Sequence, residues 1–195
     1  MNRRRLILSA AGVGLAATGL AGPAGALVTP APTPTDDDLA YANFGLAAEF
    51  LLQDFYGQVE RAKLVTGTTV REIKRGGFNA AEHAFALEQL LKGAAQTAAV
   101  RDDFDFTWPD GTFATKKQAL ATGLTLVETL LGVYLRAAAV VTVQSYRGLY
   151  ASMAANLGQQ AAALSEQSGG RIVGISFAPA LELKTASDVL EAYLG

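Results

Sequence analysis

Ala42-Asn43-Phe44-Gly45-Leu46-Ala47-Ala48-Glu49-Phe50-Leu51-Leu52-Gln53-Asp54-Phe55-Tyr56 is the stretch on which the fold turns. Ala42, Gly45, Leu46, Glu49, Leu52 and Tyr56 recur at steps of three and four, so on a helix they share one face. That face is apolar or small except at Glu49. A carboxylate buried without a partner is costly or stays protonated. Glu49 therefore calls for partners on other helices. Two other polar residues sit on apolar faces in the same way. His83, the one histidine, shares a face with Ala80, Ala86, Leu87 and Leu90. Glu128 shares one with Ala121, Leu124, Leu131, Gly132 and Leu135. The expectation is that Glu49, His83 and Glu128 meet inside a bundle.

The rest of the chain supplies the other helices. The first is expected from Asp38 to Lys63, with Asp36, Asp37 and Asp38 at the end where a helix favours acid. The second is expected to start near Asn79, with Glu82 completing a capping box, and to run to Val100. The third follows Thr115 to about Ala139. The fourth runs from Val143 to Gln167 and stops at Gly169-Gly170. Between the second and third helices, Pro109 and Asp110-Gly111 mark turns, while Phe104, Phe106, Trp108 and Phe113 are too apolar for a free loop. They are expected to fold back as a lid. After residue 168 an extended segment from Ile172 to Ala178 and a short helix from Ser187 to Leu194, capped by Thr185 or Ser187, form a tail on the bundle. Four long helices with one long connection predict an all-α antiparallel four-helix bundle over residues 38–168 and a tail over 169–195.

The N-terminus reads differently. Asn2-Arg3-Arg4-Arg5-Leu6-Ile7-Leu8 opens an Ala/Gly/Leu run that ends in Ala24-Gly25-Ala26. A charged start, an apolar middle and a small-x-small end make an export leader over residues 1–26, and the adjacent arginines resemble a twin-arginine signal. Gly12, Gly14, Gly19 and Pro23 suit a retained membrane anchor poorly, though that alternative stays open. Residues 27–37, with Pro30, Pro32 and Pro34 among threonines, read as an extended spacer. No later stretch is expected to span a membrane, since Glu128 and Arg136 interrupt the best candidate. The expected location is the periplasm, cell envelope or extracellular space.

Composition removes several classes of function. The chain has no cysteine, which excludes disulfides, thiolate metal sites and thiol catalysis. Its net charge of −2 becomes more negative once Arg3, Arg4 and Arg5 are gone, which argues against nucleic acid or anionic lipid as main partners. Arg61, Lys63, Arg71, Lys74 and Arg75 read as a solvated interhelical loop, or else an anion-binding patch. No phosphate-binding glycine loop, dinucleotide fingerprint or nucleophile elbow is present. Tyr134, Tyr146 and Tyr150 read as helix-packing residues, or else redox relays.

Asn43 to Leu51 with Phe55-Tyr56, His83-Ala84-Phe85-Ala86-Leu87, Phe104-Asp105-Phe106 and Leu126-Val127-Glu128 together resemble exported ferritin-like proteins, including the desiccation-related family. The likeness covers nearly all of the chain after the leader. Bundles of this kind hold two metal ions with a Glu from each of two helices and a Glu-x-x-His from each of the others. Carried over, the resemblance places ligands at Glu49, His83 and Glu128, and lost ligands at Ala80, Asn156 and Gln159. It implies a remnant site in which the amides hydrogen-bond the retained groups. The function expected is a non-enzymatic envelope or secreted protein with a stress-protective, binding or assembly role and no cofactor. One alternative is an iron- or manganese-dependent redox or iron-handling protein using a reduced site. Another is a small-molecule carrier with an apolar pocket under the aromatic loop. A homo-oligomer or an envelope protein is the partner class left open.

Overall fold

A computed structural model describes residues 32–171 and 178–194. The expected leader at residues 1–26, the expected spacer up to residue 31 and most of the expected extended segment from Ile172 to Ala178 lie outside the described residues. The chain forms α1 (Asp36–Ala62), α2 (Thr68–Gly93), α3 (Lys116–Val140), α4 (Gln144–Gln167) and α5 (Leu183–Leu190), with 3-10 turns at Arg101–Asp103 and Glu191–Tyr193. Among the described residues there is no β-strand. The all-α bundle expected from the sequence is what forms.

Helix α1 starts at a capping box. The Thr35 hydroxyl accepts from the Asp38 backbone N–H, and the Asp38 carboxylate accepts from the Thr35 N–H. Helix α3 starts at Thr115, whose hydroxyl accepts from Gln118 N–H. α1 packs chiefly on α2, and α3 chiefly on α4; α1 and α3 join the two pairs, while α2 and α4 meet only sparsely. Leu46, Phe55, Leu87, Leu120, Val127, Leu130, Tyr134, Tyr150 and Leu157 are among the fully buried side chains at the centre.

Two boundaries differ from expectation. Helix α2 begins eleven residues before Asn79, at Thr68, so Asn79 and Glu82 lie within the helix and cap nothing. Arg71, Lys74 and Arg75 accordingly ride on the first turns of α2, exposed, rather than on a loop. The run Arg75-Gly76-Gly77 resembles a break by propensity. Its glycines answer a packing demand instead: a Cβ at Gly76 would stand 2.4 Å from the Tyr56 ring. Helix α5 likewise begins at Leu183, placing Thr185 and Ser187 inside it; Glu182 occupies the N-cap without a side-chain bond.

The α2–α3 connection does fold back on the bundle. Trp108 lies against Phe55, Phe113 and Tyr193, with ring centroids 5.9, 5.2 and 5.3 Å apart. Phe104 stacks on Phe106 and touches Phe50. Asp54 of α1 ties this loop down: its carboxylate accepts from Trp108 Nε1 at 2.8 Å and from Arg101 Nη2 at 3.1 Å. The tail then crosses α3 and returns to the loop. Leu181 N–H donates to Gly132 O at 2.9 Å, and Thr107 N–H donates to Tyr193 O at 3.0 Å. Gly132 has to be small there, since a Cβ would come within 2.8 Å of Pro179 O.

Candidate functional site

Midway along α1, Glu49 is fully buried. Its Oε1 lies 2.9 Å from His83 Nδ1 on α2 and accepts the Tyr134 hydroxyl of α3 at 2.9 Å. Helical spacing builds this cluster. His83 projects from α2 beside the buried stripe of Ala80, Ala84 and Leu87, and stays slightly exposed at 12% of its side chain. Tyr134 belongs to the α3 stripe of Leu120, Val127, Leu130 and Ala137. One turn before Glu49, Gly45 clears the space for the Tyr134 ring, which would stand 3.0 Å from a Cβ there. Tyr150 of α4 backs Tyr134, with ring centroids 5.6 Å apart.

Burial dominates the electrostatics. It pushes the Glu49 carboxyl above the usual carboxylate range, although the hydrogen bonds and charge of His83 and the hydroxyl of Tyr134 pull the other way. Tyr134 is raised well above the ordinary phenol value by burial, then by the Glu49 charge and hydrogen bond. Tyr56 is raised by burial and by Glu49 as well. The second carboxylate oxygen, Oε2, is buried with no hydrogen-bond partner among the described residues. All the stabilisation of Glu49 thus converges on one oxygen.

The structure brings together only part of the expected set. Glu49 and His83 meet. Glu128 does not join them; it is exposed. It follows Val127, which is buried, and so lies about 100° around α3 from the buried stripe. An 18-residue stretch of α3 has a mean hydropathy of 1.4, apolar enough by length and composition to cross a membrane, so nearly every face of the helix looks internal in sequence. On α4 the buried stripe is Tyr150, Met153, Ala154, Leu157 and Leu164, which leaves Gln159 exposed. Asn156 is half-buried but turns to α2: its Oδ1 accepts from Asn79 Nδ2 and from Gln160 Nε2. Neither amide hydrogen-bonds Glu49 or His83, so the register that placed them at the centre does not hold. Ala80 is buried one turn before His83, and its carbonyl accepts from Gln53 Nε2 at 3.4 Å. Sequence reasoning missed Tyr134 as a polar member of the site. The available signal was Gly45, a missing side chain one turn from a buried acid. Where a carrier's pocket was expected, under the aromatic loop, Phe104 lies against Phe50 and Trp108 against Phe55.

A dinuclear metal centre needs several carboxylates to bridge and to neutralise two cations. The inner site offers one carboxylate, one imidazole and one phenol. Among the described residues no group of three or more His, Cys, Asp or Glu could hold a metal ion. These residues do not fit a pair of metal ions. What they can do is hold a buried acid in place by hydrogen bonds.

No curated protein matches the chain at a significant level. A family model described as a ferritin-like domain matches residues 37–169, from the first turn of α1 to just past the end of α4. With the bundle and its buried acid already in view, that match over most of the chain means that it belongs to the ferritin-like domain family.

Proposed function

We propose that this is an exported, non-enzymatic ferritin-like protein in which a hydrogen-bonded Glu49–His83–Tyr134 cluster stands where related bundles hold metal. One observation carries the reading: His83 and Tyr134, from two different helices, both hydrogen-bond Glu49 Oε1, so neighbouring side chains hold the acid in place. The leader-like residues 1–26 support export to the periplasm, cell envelope or extracellular space, and the resemblance to desiccation-related proteins supports a stress-protective, binding or assembly role. The test is elemental analysis of protein purified from its own compartment, together with oxygen consumption on adding ferrous iron. Substoichiometric metal and no iron oxidation are expected. Stoichiometric iron or manganese would overturn the reading.

A second reading has its own support. Glu49 Oε2 is buried and unpartnered, which favours one weakly held cation shared with His83. Calorimetric titration with Mn²⁺ separates the two: binding that disappears in Glu49→Gln supports the cation, and an absence of binding in both proteins supports the metal-free acid.

A further inference from the structure

The sparse seam between α2 and α4 holds polar side chains that the Glu49 cluster does not use. A cleft of about 80 Å³ opens there, where Asn79, Asn156, Gln159 and Gln160 stand among Tyr56 and the apolar Gly76, Ala163 and Leu164, with Glu72 and Arg75 also on its wall. The amides form a directed chain. The Tyr56 hydroxyl donates to Gln160 Oε1 at 2.7 Å, and Gln160 Nε2 donates to Asn156 Oδ1 at 2.6 Å. Asn79 Nδ2 donates to the same Asn156 oxygen at 3.1 Å. Both lone pairs of that oxygen are used, so Asn156 keeps its two N–H donors for something else, and Asn79 keeps its carbonyl oxygen. Among the described residues neither group holds a hydrogen bond. Gln159, exposed beside them, adds another donor and acceptor.

The chemistry of this lining selects its ligand. A cation would meet only one carboxylate, Glu72. An anion would meet Arg75 with Glu72 one turn away. A wholly apolar group would pack on Ala163 and Leu164 but leave the amide donors and acceptors unpaired. A hydroxyl both donates and accepts, as each amide does. With about 10–15 Å³ needed per water in a cavity of this kind, the cleft admits roughly five to eight oxygen-sized groups. It therefore takes the edge of a polyol and not a whole ring. Beside the cleft, the Arg75 guanidinium lies over the Phe78 ring, 5.7 Å from its centroid, and Phe78 is 55% exposed. Phe78 is thus linked to the cleft wall through Arg75, and its exposed ring offers a C–H-rich sugar face something to rest on.

We propose that the α2–α4 cleft binds the edge of a neutral saccharide through Asn79, Asn156 and Gln159, with Phe78 beside it. The proposal stands apart from the Glu49 cluster and does not depend on whether that cluster holds metal. It is tested by following side-chain amide NMR signals of the full chain during titration with glucose and with sucrose, and with inorganic phosphate as a control. Sugar should shift the Asn79, Asn156 and Gln159 signals saturably, leaving Asn43 and Gln118 in place. Asn156→Ala should weaken binding about tenfold, the loss expected for one or two good hydrogen bonds. Gln159→Ala and Phe78→Ala alter exposed residues that the fold does not need, and each should weaken it about threefold. The proposal is overturned if no signal moves at high sugar concentration, or if Asn43 moves as much as Asn156. It also fails if phosphate shifts the cleft amides more strongly than sugar, or if Gln159→Ala and Phe78→Ala both bind like the natural chain.

Discussion

Helix α1 buries two carboxylates eleven residues apart, and the molecule treats them in opposite ways. Asp38, at the helix start, is 1% exposed and has partners on both oxygens: Thr35 N–H and the Thr142 hydroxyl on one, Thr142 N–H on the other. Burial alone would raise its pKa, yet the bonds from Thr142 and Thr35 outweigh that and hold it below the ordinary carboxylate value. Glu49, in the middle of the helix, has partners on one oxygen only and is pushed up. Burial is common to both, so the number and placement of donors decides the outcome. Asp38 is a finished structural joint between the start of α1 and the α3–α4 turn. Glu49 is an acid kept inside the bundle at a cost.

The sharpest way to break this contrast is to remove the finished joint. Asp38→Ala deletes the capping box and strands the Thr142 donors, so unfolding in urea should show a loss of about 3 kcal/mol. If Glu49→Ala destabilised as much, the two sites would not differ as described. Tyr134→Phe comes next. It removes one of the two hydrogen-bond partners of the buried acid and should cost about 1–2 kcal/mol while raising the Glu49 carboxyl further; an unchanged stability would mean that this hydroxyl contributes nothing net. A third carboxylate, Asp54, lies between the extremes, partly exposed and held by Arg101 and Trp108. Trp108→Phe keeps most of the ring packing and loses that one bond, for about 1 kcal/mol by thermal unfolding.

The subtlest effect lies in the pH profile. A carboxyl lowered on folding, as Asp38 is, contributes stability that is present above the ordinary carboxylate range and lost as pH falls through its folded value. A carboxyl raised on folding, as Glu49 is, does the reverse. Its burial is cheapest when protonated, and stability declines as pH rises through the raised value. Asp38→Asn should therefore flatten the acid limb of a stability curve, and Glu49→Gln the limb above it. Both variants acting on the same limb would contradict the contrast.

These differences also explain what could be read without coordinates. Glu49 and His83 stood out because an ionisable residue on a narrow apolar stripe has few alternatives, and α1 has such a stripe. Asp38 looked like one of three interchangeable acids at a helix start, since its long-range partner, Thr142, lies over a hundred residues away. Glu128 was misplaced because α3 is apolar on most of its circumference, so periodicity there does not single out one face. The start of α2 was hidden for a different reason. Thr68 to Gly77 has weak helix formers and two adjacent glycines, and local propensity favours a loop. Tertiary contact overrides it: the Tyr56 ring needs the bare backbone of Gly76. Helices α3 and α4, bounded by Thr115 and by Gly169-Gly170, fell where their start and stop residues put them.

That last contact has a consequence for how the chain can change over time. Tyr56 fills the place of a side chain at position 76, with a Cβ there only 2.4 Å from the ring, and its hydroxyl reaches across to Gln160. The three positions cannot drift independently. Any larger residue at 76 requires a smaller one at 56, and a shrunken residue 56 leaves Gln160 without its donor at the base of the cleft. In related chains these positions should be inherited as a set, so that a departure from glycine at 76 comes with the loss of tyrosine at 56 and a new partner for residue 160.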